Sequence, residues 1–490
     1  MSPEEFRKWG YAMIDWLADY SARVETLPVL SKSAPGDLRK ALPLTAPEHS
    51  EDFSQIFADI DRLIVPGITH WQSPNFFAYF PANTSGPSIL GELLAAGLGV
   101  QGMLWATSPA CTELETHMLD WLADLCALPD QFKSAESGGG VLLDSASSAT
   151  LCALIAAREK ATQGNSNHSG LNQSLHSQGQ ASSIPNRLSN LIAYTSDQAH
   201  SSVLKAVRIA GIGETQLRMI PSDSEHRMNV SDLLRAITRD LKEGYLPFFC
   251  TATIGTTSSM AVDPIKEIAA ICNAHSIWLH VDAAMAGSAA LCPEYRHYFT
   301  GLNHAKSYTF NPHKWLLTNF DCNCFFVSDR QALTSALSIL PEYLRTSASE
   351  SGEVIDYRDW QIPLGRRFRA LKLWFVLRYY GAEKLREYLR GHMQMAQHFA
   401  GLIENSDEFI LAAPVTFSLV CFRHKAGDTF NEKLLNTLNL SGKLYLSHTR
   451  LEGHYTLRLS IGAAHTNSKH IDAAWSVIME TSQSNNRFLT

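Results

Sequence analysis

The chain has 490 residues with a 45% hydrophobic composition, and 41 Lys and Arg against 48 Asp and Glu leave a net charge of −7. This length is enough to bury one large core or two to three smaller ones. The mild acidity gives no support for binding to nucleic acid or to an anionic membrane, because either would need a clustered basic face.

The cysteines and the apolar segments of the sequence indicate the cellular compartment. Nine cysteines are scattered along the chain, and no second pair accompanies Cys322 and Cys324 at a spacing typical of zinc sites. No stretch approaches the ~20 apolar residues of a membrane span. The charged, amphipathic N-terminus lacks the apolar core of a signal peptide. Together these features predict a cytoplasmic protein with reduced cysteines and without a metal site.

The first 130 residues are predicted to be mainly helical, with firm helices over Pro87–Leu98 and Thr112–Leu125. From Gly138 onward, short β-rich runs alternate with helical patterns. The predicted strands are Val141–Leu143, Leu191–Tyr194, Phe248–Thr251, Ile277–Val281 and Ser307–Phe310. The predicted helices between them are Ser148–Lys160, Val230–Glu243 and Pro264–Ala274. This alternation favours an α/β domain with a largely parallel sheet that is covered on both faces.

The last third of the chain has a different pattern. A long helix over Arg366–Tyr380 precedes shorter elements, which predict a smaller α+β domain. Its predicted elements are strands Phe417–Arg423, Leu444–His448 and Thr456–Ile461 and a closing helix Lys469–Met479. At the start of the long helix, Arg366, Arg367, Arg369 and Lys372 are interleaved with apolar residues, which favours a helix with one side facing solvent or an anion.

Residues 161–190 differ from the rest in composition. They are rich in Ser, Asn, Gln and Gly and almost lack large apolar side chains. Such a segment cannot bury enough surface to offset its ordering entropy, so we expect a mobile surface insertion.

The most informative stretch is SYTFNPHKWLL, residues 307–317. A strand-like run ends there, and Lys314 follows between a histidine and a tryptophan. Apolar neighbours desolvate a lysine, lower its pKa and leave the amine free to form a Schiff base. Taken alone, a lysine in such a position is more often an ordinary surface residue beside a turn than a catalytic one.

An aspartate stands in a matching position upstream. Asp282 ends the apolar run IWLHV and is followed by two small residues, at the place where α/β folds put ligand contacts. A carboxylate there could keep a pyridinium nitrogen protonated, and only the protonated ring is a strong electron sink. A helix N-cap is an equally good reading of Asp282 taken alone.

Two further segments join a strand to a helix. GGGVLLDSASSAT, residues 138–150, offers free backbone N–H groups at a helix start, which suits a phosphate near Ala146, Ser147 and Ser148. His200 in DQAHSS lies between a strand and a helix, where a lone histidine is more often structural than catalytic.

Together, these segments resemble the group II pyridoxal-phosphate decarboxylases of the aspartate-aminotransferase fold, and most closely the aromatic L-amino-acid decarboxylases. The resemblance extends from residue 1 to about 480, apart from the polar segment, and NPHKW together with HVDAA is specific to this group. The matching segments are HWQSPNFFAYFP (70–81), SPACTELETHMLDWL (108–122), GGGVLLDSASSAT (138–150), SDQAHSSV (196–203), IGTTSSMAVDPI (254–265), IWLHVDAAMAGSA (277–289), NPHKWLLTNFDC (311–322) and DYRDWQIPLGRRFRALKLW (356–374).

The resemblance implies an α/β enzyme of fold type I and its division into domains. An N-terminal helical segment (1–85) would wrap the partner subunit of a homodimer. A large cofactor-binding domain (86–364) would contain the polar insertion (161–190) and a mobile catalytic loop (334–355). A small α+β domain (365–490) would follow.

The resemblance also implies a role for each site residue. Lys314 would carry pyridoxal 5'-phosphate, Asp282 would pair with the pyridine nitrogen, and His200 would stack over the ring. The remaining implied residues are Ala146, Ser147 and Asn311 for the phosphate, Thr257 and Ala284 beside the ring, His313 beside the lysine, and Tyr343 on the mobile loop. Those implied for an aromatic amino-acid substrate are Trp71, Tyr79, Phe80, Pro81, Gln101, Met103 and Gly365.

Several positions depart from the common animal pattern of the family. Ala82 and Asn83 replace a Thr-Ala pair, and Gln101 and Met103 replace larger apolar and aromatic residues. Gly365 resembles family members that admit an indole ring. The expected substrates are therefore tryptophan or 5-hydroxytryptophan beside DOPA, tyrosine and phenylalanine.

Four rival functions remain open on the sequence. An aldehyde synthase of the same fold decarboxylates and then deaminates oxidatively, but related sequences with that outcome lack the loop tyrosine or the stacking histidine, and Tyr343 and His200 are both present. A decarboxylase of acidic amino acids fits less well with the aromatic cluster around Trp71, although most of those rings could equally be core. A cofactor-free scaffold would not need Lys314. A metal site at His280, Asp282 and His313 is weaker still.

Overall fold

The computed structural model describes residues 1–164, 188–339 and 354–486. The chain divides into two compact units. The larger unit comprises residues 83–393 and 413–417, and the smaller unit comprises residues 1–82, 394–412 and 418–490. The domain boundaries expected after residues 85 and 364 stay a prediction.

The larger unit contains a seven-stranded sheet in the order β1-β7-β6-β5-β4-β2-β3. Six strands are parallel to one another, and β7 runs antiparallel to its neighbours β1 and β6. The strands are β1 (Gly139–Leu143), β2 (Leu191–Ser196), β3 (Leu217–Ile220), β4 (Leu246–Thr253), β5 (Trp278–Asp282), β6 (Ser307–Phe310) and β7 (Asn323–Val327). Every residue of β1, β2, β5, β6 and β7 is buried, so both faces of the sheet are covered, as in other parallel sheets.

The helices of both units alternate with loops and short 3₁₀ turns. Local signals set several of their starts: Ser108 accepts a hydrogen bond from the Cys111 N–H at 3.3 Å and Pro109 opens the helix that follows. The helices are α1 (Pro3–Arg23), α2 (Asp37–Ala41), α3 (Phe53–Asp59), α4 (Gly86–Leu98), α5 (Pro109–Leu125), α6 (Ala146–Gly164), α7 (Ser202–Ile209), α8 (Val230–Lys242), α9 (Ile265–Ala274), α10 (Pro312–Trp315), α11 (Arg330–Leu337), α12 (Arg369–Glu404, broken at Gly381), α13 (Asp428–Leu440) and α14 (Ser468–Asn486).

The smaller unit has its own four-stranded antiparallel sheet, in the order β10-β11-β9-β8. The strands are β8 (Phe409–Leu411), β9 (Leu419–His424), β10 (Ser447–Leu451) and β11 (His454–Ser460). Helix α1 begins with a capping box between Ser2 and Glu5 and has no buried residue. This unit confirms the prediction of a smaller α+β domain.

The sequence prediction found all five of its strands in the large sheet but missed β3 and β7. Strand β3 lies at the sheet edge and has only four residues, and Arg218 interrupts the apolar run that marks a strand. Strand β10 begins three residues later than predicted, because Leu444 is buried outside the strand.

Arg366 and Lys372 of the basic cluster near the start of α12 do not face solvent or an external anion, which corrects the prediction for these two residues, whereas Arg367 is exposed as predicted. Arg366 and Lys372 are buried, at 4% and 1% exposure. Arg366 forms an ion pair with Glu115, and the Lys372 ammonium lies 2.8 Å from the Glu92 carboxylate. Interleaved basic and apolar residues also fit a helix whose charges are paired inside the protein, and the partners are distant in sequence.

No helix in the described ranges is both long and apolar enough to span a membrane.

Candidate active site

Lys314 lies on a short turn at the end of a buried strand. Strand β6 ends at Phe310, and Asn311 precedes the four-residue helix α10. The Lys314 N–H donates to the Asn311 carbonyl oxygen at 2.9 Å. Burial lowers the pKa of Lys314, and the Asp282 carboxylate opposes that shift. The desolvation therefore favours the uncharged, nucleophilic amine that the sequence predicted.

A chain of hydrogen bonds joins Asp282 to the lysine turn. The Ala284 N–H donates to the Asp282 carboxylate at 2.9 Å, and the Asn311 N–H donates to the Ala284 carbonyl at 2.9 Å. The link from Asn311 to Lys314 completes the chain. Because β5 and β6 are parallel neighbours, their carboxyl ends bring these residues together. Asp282 is 4% exposed, so its charge acts in a poorly solvated environment.

His200 follows β2 and faces the same charges. Burial lowers the pKa of His200, the Asp282 carboxylate raises it, and the Lys314 amine lowers it again. The Ser202 N–H donates to Nδ1 at 3.1 Å, which leaves Nε2 as the nitrogen that carries the proton of the neutral ring. The imidazole itself remains exposed on this single chain.

The start of α6 offers free donors. Ser145 satisfies two N–H groups of the first turn, with its hydroxyl accepting from Ser148 at 3.3 Å and its carbonyl from Ala149 at 3.1 Å. Within the described part of the chain, no acceptor is bonded to the N–H groups of Ala146 and Ser147. These two groups stand at the positive end of a helix dipole, where an anion binds readily.

Hydrogen bonds connect the start of α6 to β5. The Thr150 hydroxyl donates to the Ala146 carbonyl at 2.9 Å and lies 3.3 Å from Nε2 of His280. His280 also contacts the Ser307 hydroxyl at 2.9 Å. This buried histidine therefore connects β5, β6 and α6, which is a structural role rather than the metal ligation weighed for it in the sequence.

His313 precedes the lysine and is held in one tautomer. It is 4% exposed, and its Nδ1 accepts from the Cys322 N–H at 2.9 Å. Burial, together with the Lys314 charge, lowers the pKa of His313 to about 3. A neutral imidazole with a proton on Nε2 therefore lies beside the lysine. Thr257 is exposed in the loop after β4, and Ala284 is half-buried after β5.

These groups fit pyridoxal phosphate in three respects. The two N–H groups at the start of α6 and the side-chain NH₂ group of Asn311 suit a phosphate. The side-chain oxygen of Asn311 already accepts a hydrogen bond from the Asn323 side chain at 2.5 Å, so the NH₂ group remains as the donor. The buried Asp282 carboxylate suits a protonated pyridine nitrogen. The amine of Lys314 suits an aldehyde.

Three of the residues expected at the substrate lie together in the larger unit. The Gln101 amide oxygen accepts from the Arg366 N–H at 2.5 Å, and a side chain added at Gly365 would lie 3.3 Å from the Gln101 amide nitrogen. The Met103 carbonyl accepts from the Arg358 N–H at 3.1 Å. Gln101 therefore borders the space that Gly365 leaves open.

The aromatic cluster of the smaller unit divides into core and surface. Phe76 and Phe77 are buried, at 2% and 0% exposure, whereas Trp71 and Tyr79 are 38% and 50% exposed. Trp71 stacks on both Phe76 and Tyr79, with ring centroids 4.4 and 5.8 Å apart. The core reading is thus right for the two phenylalanines, and an exposed aromatic shelf remains around Trp71.

The other two substrate positions of this unit are packed more firmly. Phe80 lies under the Arg458 guanidinium, 5.6 Å from the ring centroid. Pro81 is buried and packs against Gly462. Any side chain at position 462 would collide with the Pro81 ring. Tyr343 lies outside the described residues.

Sequence reasoning missed the residues that support the site from a distance. The Glu115 carboxylate binds both the Arg366 guanidinium and the Leu142 N–H, the latter at 2.7 Å. Asn83, noted only as a departure from the family, contacts the lysine segment on two sides. A buried polar residue in an apolar stretch is the only local signal for such roles.

The comparisons with known proteins agree with this geometry. Residues 35–425 match the family described as "Pyridoxal-dependent decarboxylase conserved domain". A phenylacetaldehyde synthase of Arabidopsis thaliana is 48% identical, over 98% of this chain and 96% of the relative. Tryptophan decarboxylase 2 of Oryza sativa subsp. japonica is 45% identical, over 98% and 95%. The crystal structure of Oryza sativa TDC with PLP and tryptamine has a TM-score of 0.93 at 39% identity and covers 99% of each chain.

The family match and the solved structure confirm the predicted fold type and the predicted cofactor. The matches to these relatives extend over 98% of the chain, so the matched region spans the lysine turn, the end of β5 and the start of α6. The protein belongs to the pyridoxal-dependent decarboxylase family, whose cofactor is pyridoxal phosphate.

Proposed function

We propose that this enzyme decarboxylates aromatic L-amino acids to the corresponding amine and CO₂. The observation that carries the proposal is the linked arrangement of Lys314 and the buried Asp282 at the ends of two parallel strands. The aromatic class is supported by relatives whose names include tryptophan decarboxylase and tyrosine decarboxylase, at 45% and 46% identity.

Each side chain has a task that follows from its environment. When bound, pyridoxal phosphate supplies the electron sink for the electron pair left by the departing CO₂. Lys314 offers an amine that desolvation keeps poorly charged. Asp282 would place a negative charge at the ring nitrogen, and the N–H groups of Ala146 and Ser147 at the helix start would hold the phosphate.

The two histidines differ in what they can do. His200 is open to solvent and can stack on a ring or pass a proton through Nε2. His313 is buried with a strongly lowered pKa, so it donates a hydrogen bond without adding a second positive charge beside Lys314. We assign proton transfer to His200 and to Tyr343, and we assign positioning to His313.

An aldehyde synthase is the alternative that one relative favours, since a phenylacetaldehyde synthase is 48% identical. The presence of Tyr343 and His200 in the sequence supports simple decarboxylation instead. We expect amine and CO₂ in equal amounts. Hydrogen peroxide and ammonia formed in step with CO₂ would assign the protein to the aldehyde synthases.

We propose that the working form is a homodimer in the cytoplasm. Leu90, Leu93, Leu94 and Leu98 form an apolar stripe on α4 and are between 44% and 54% exposed, which a second copy would cover. All nine cysteines lie in the described ranges, are buried and form no disulfide there, in keeping with a reducing compartment.

The dimer is tested by sedimentation velocity on Leu94→Glu, with Leu241→Glu as an equally exposed control on α8. We expect the first variant to sediment as a monomer and the control to sediment like the wild type. A wild type that sediments as a fully active monomer would refute the dimer.

The first functional experiment combines absorption spectra with CO₂ release. The wild type with pyridoxal phosphate should show a visible band that Lys314→Ala lacks, and it should release CO₂ from L-tryptophan or L-DOPA but not from L-glutamate. A band with CO₂ from glutamate alone would reject the aromatic substrate class. A band that persists in Lys314→Ala would reject Lys314 as the carrier, and no band in the wild type even with added pyridoxal phosphate would favour the non-catalytic alternative, a cofactor-free scaffold.

A further inference from the structure

The helical turn that carries Lys314 is too short to be stable on its own. Helix α10 has four residues, and the hydrogen bonds of this turn include those from the Lys314 N–H to the Asn311 carbonyl and from the Leu316 N–H to the Pro312 carbonyl, both at 2.9 Å. A single turn of helix is unstable without tertiary contacts. The position of the lysine therefore depends on contacts with other parts of the chain.

Asn83 provides such contacts on both sides of the lysine. Its N–H donates to the His313 carbonyl at 2.7 Å, and its side-chain carbonyl accepts from the Leu317 N–H at 3.0 Å. Asn83 is 2% exposed, so these bonds are shielded from water. Two hydrogen bonds from a single residue thus bracket the segment from His313 to Leu317.

The bond to Leu317 secures an unfavourable backbone conformation. Leu317 has a φ of +52°, in the left-handed region that leucine rarely adopts. Asn83 binds its N–H, and the Ser85 hydroxyl donates to its carbonyl at 2.6 Å. Without Asn83 the buried N–H of Leu317 would lose its acceptor, and the segment could relax to an ordinary conformation.

A second contact network orients Asn83 itself. The Tyr388 hydroxyl donates to the same side-chain oxygen of Asn83 at 3.1 Å. Tyr388 packs on His392, with ring centroids 4.4 Å apart, and His392 accepts from the Trp315 indole N–H at 2.9 Å. Helix α12 therefore supports both Asn83 and the residue that follows Lys314.

We propose that Asn83 is a positioning residue for Lys314, because it fixes the backbone on both sides of the lysine and so sets where the amine meets the cofactor. The proposal deepens the proposed function, since it concerns the residue that carries pyridoxal phosphate. It does not depend on which amino acid is the substrate. Asn83 acts through Lys314 and has no catalytic role of its own.

The test measures cofactor geometry and affinity, without substrate. Asn83→Ala and the wild type are titrated with pyridoxal phosphate, and the induced circular dichroism of the bound cofactor is recorded beside the melting temperature of the cofactor-free protein. We expect Asn83→Ala to bind pyridoxal phosphate about tenfold more weakly, as the loss of a buried hydrogen bond implies. We also expect it to lose most of the induced signal.

Tyr388→Phe is the matched control, because it removes a hydrogen bond to the same oxygen but leaves the bond to Leu317. We expect its cofactor affinity to stay within about twofold of the wild type even where its melting temperature falls. Equal losses of affinity in the two variants at equal stability would overturn the proposal. So would an Asn83→Ala protein with normal affinity and a normal induced signal.

A third variant keeps the test decisive if Asn83→Ala does not fold. Asn83→Asp retains an acceptor oxygen for the Leu317 N–H and the Tyr388 hydroxyl. We expect it to fold and to keep the induced signal. Loss of that signal in a folded Asn83→Asp protein would show that the acceptor does not position Lys314. Because no substrate is used, a failure of the aromatic substrate class would leave these results unaffected.

Discussion

Three buried histidines should make the larger unit sensitive to acid. Burial lowers the pKa of His280, His313 and His392 to about 3 in each case, from an ordinary value of 6.5. A histidine whose pKa is lowered by folding is neutral in the native state and takes up a proton on unfolding. Its contribution to stability is therefore lost as the pH falls from 6.5 towards 3.

The size of the effect follows from the shifts. Each pKa unit corresponds to about 1.4 kcal/mol. At pH 5 each histidine therefore lowers the free energy of unfolding by about 2 kcal/mol, and the three together lower it by roughly 6 kcal/mol. Asp263 acts in the opposite direction, because burial raises its pKa to about 6 and the native state then takes up a proton first. Its gain is about 1 kcal/mol at pH 5, which leaves a net loss of roughly 5 kcal/mol.

The assay is thermal unfolding at pH 7 and pH 5. At roughly 2 °C per kcal/mol for a unit of this size, the wild type should melt roughly 10 °C lower at pH 5. His392→Asn retains an acceptor for the Trp315 indole N–H but cannot be protonated, so its drop should be about 4 °C smaller. His304→Asn, at an exposed histidine, is the control and should behave like the wild type. Equal drops in His392→Asn and the wild type would refute the reasoning.

Two further predictions concern the substrate side and the buried ion pair. In Gly365→Ala the new methyl group would lie 3.3 Å from the Gln101 amide, so kcat/KM for tryptophan should fall about tenfold relative to kcat/KM for tyrosine. Gly391→Ala is the control, because a methyl group there meets open space, and it should leave this ratio unchanged. An unchanged ratio in Gly365→Ala would show that this space does not select the ring. Glu115→Gln leaves the Arg366 charge buried without its partner and should cost about 3–5 kcal/mol, measured as a lower melting temperature. A melting temperature equal to that of the wild type would contradict this.

The residues proposed to carry the chemistry could be singled out from the sequence because their signals are local. Lys314 and Asp282 each stand at the end of an apolar run that folds as a buried parallel strand, and such ends meet at one edge of the sheet. The small and hydroxylated residues before α6 mark a helix start without any knowledge of what lies nearby. The fold class followed from the same alternation of strands and helices.

Residues that support the chemistry were not predictable, since their partners are distant in sequence. Asn83 is 234 positions from Leu317, and Arg366 is 251 positions from Glu115. A buried, paired basic residue has the same local pattern as an exposed one beside apolar neighbours, which is why Arg366 and Lys372 were misread. Strand β3 was missed because it has only four residues and Arg218 interrupts them.

The electrostatics of the site connect the acid sensitivity to the chemistry. His313 lies on the lysine turn and accepts from the Cys322 N–H, His392 accepts from the Trp315 indole N–H, and burial keeps both histidines neutral. Asp282 is therefore the charge that acts on the Lys314 amine, against the desolvation that lowers its pKa. A protonated histidine on the turn would add a positive charge in a poorly solvated environment and would disturb the balance between Asp282 and the amine. The burial that makes the fold sensitive to acid is thus the same burial that leaves one carboxylate in control of the lysine.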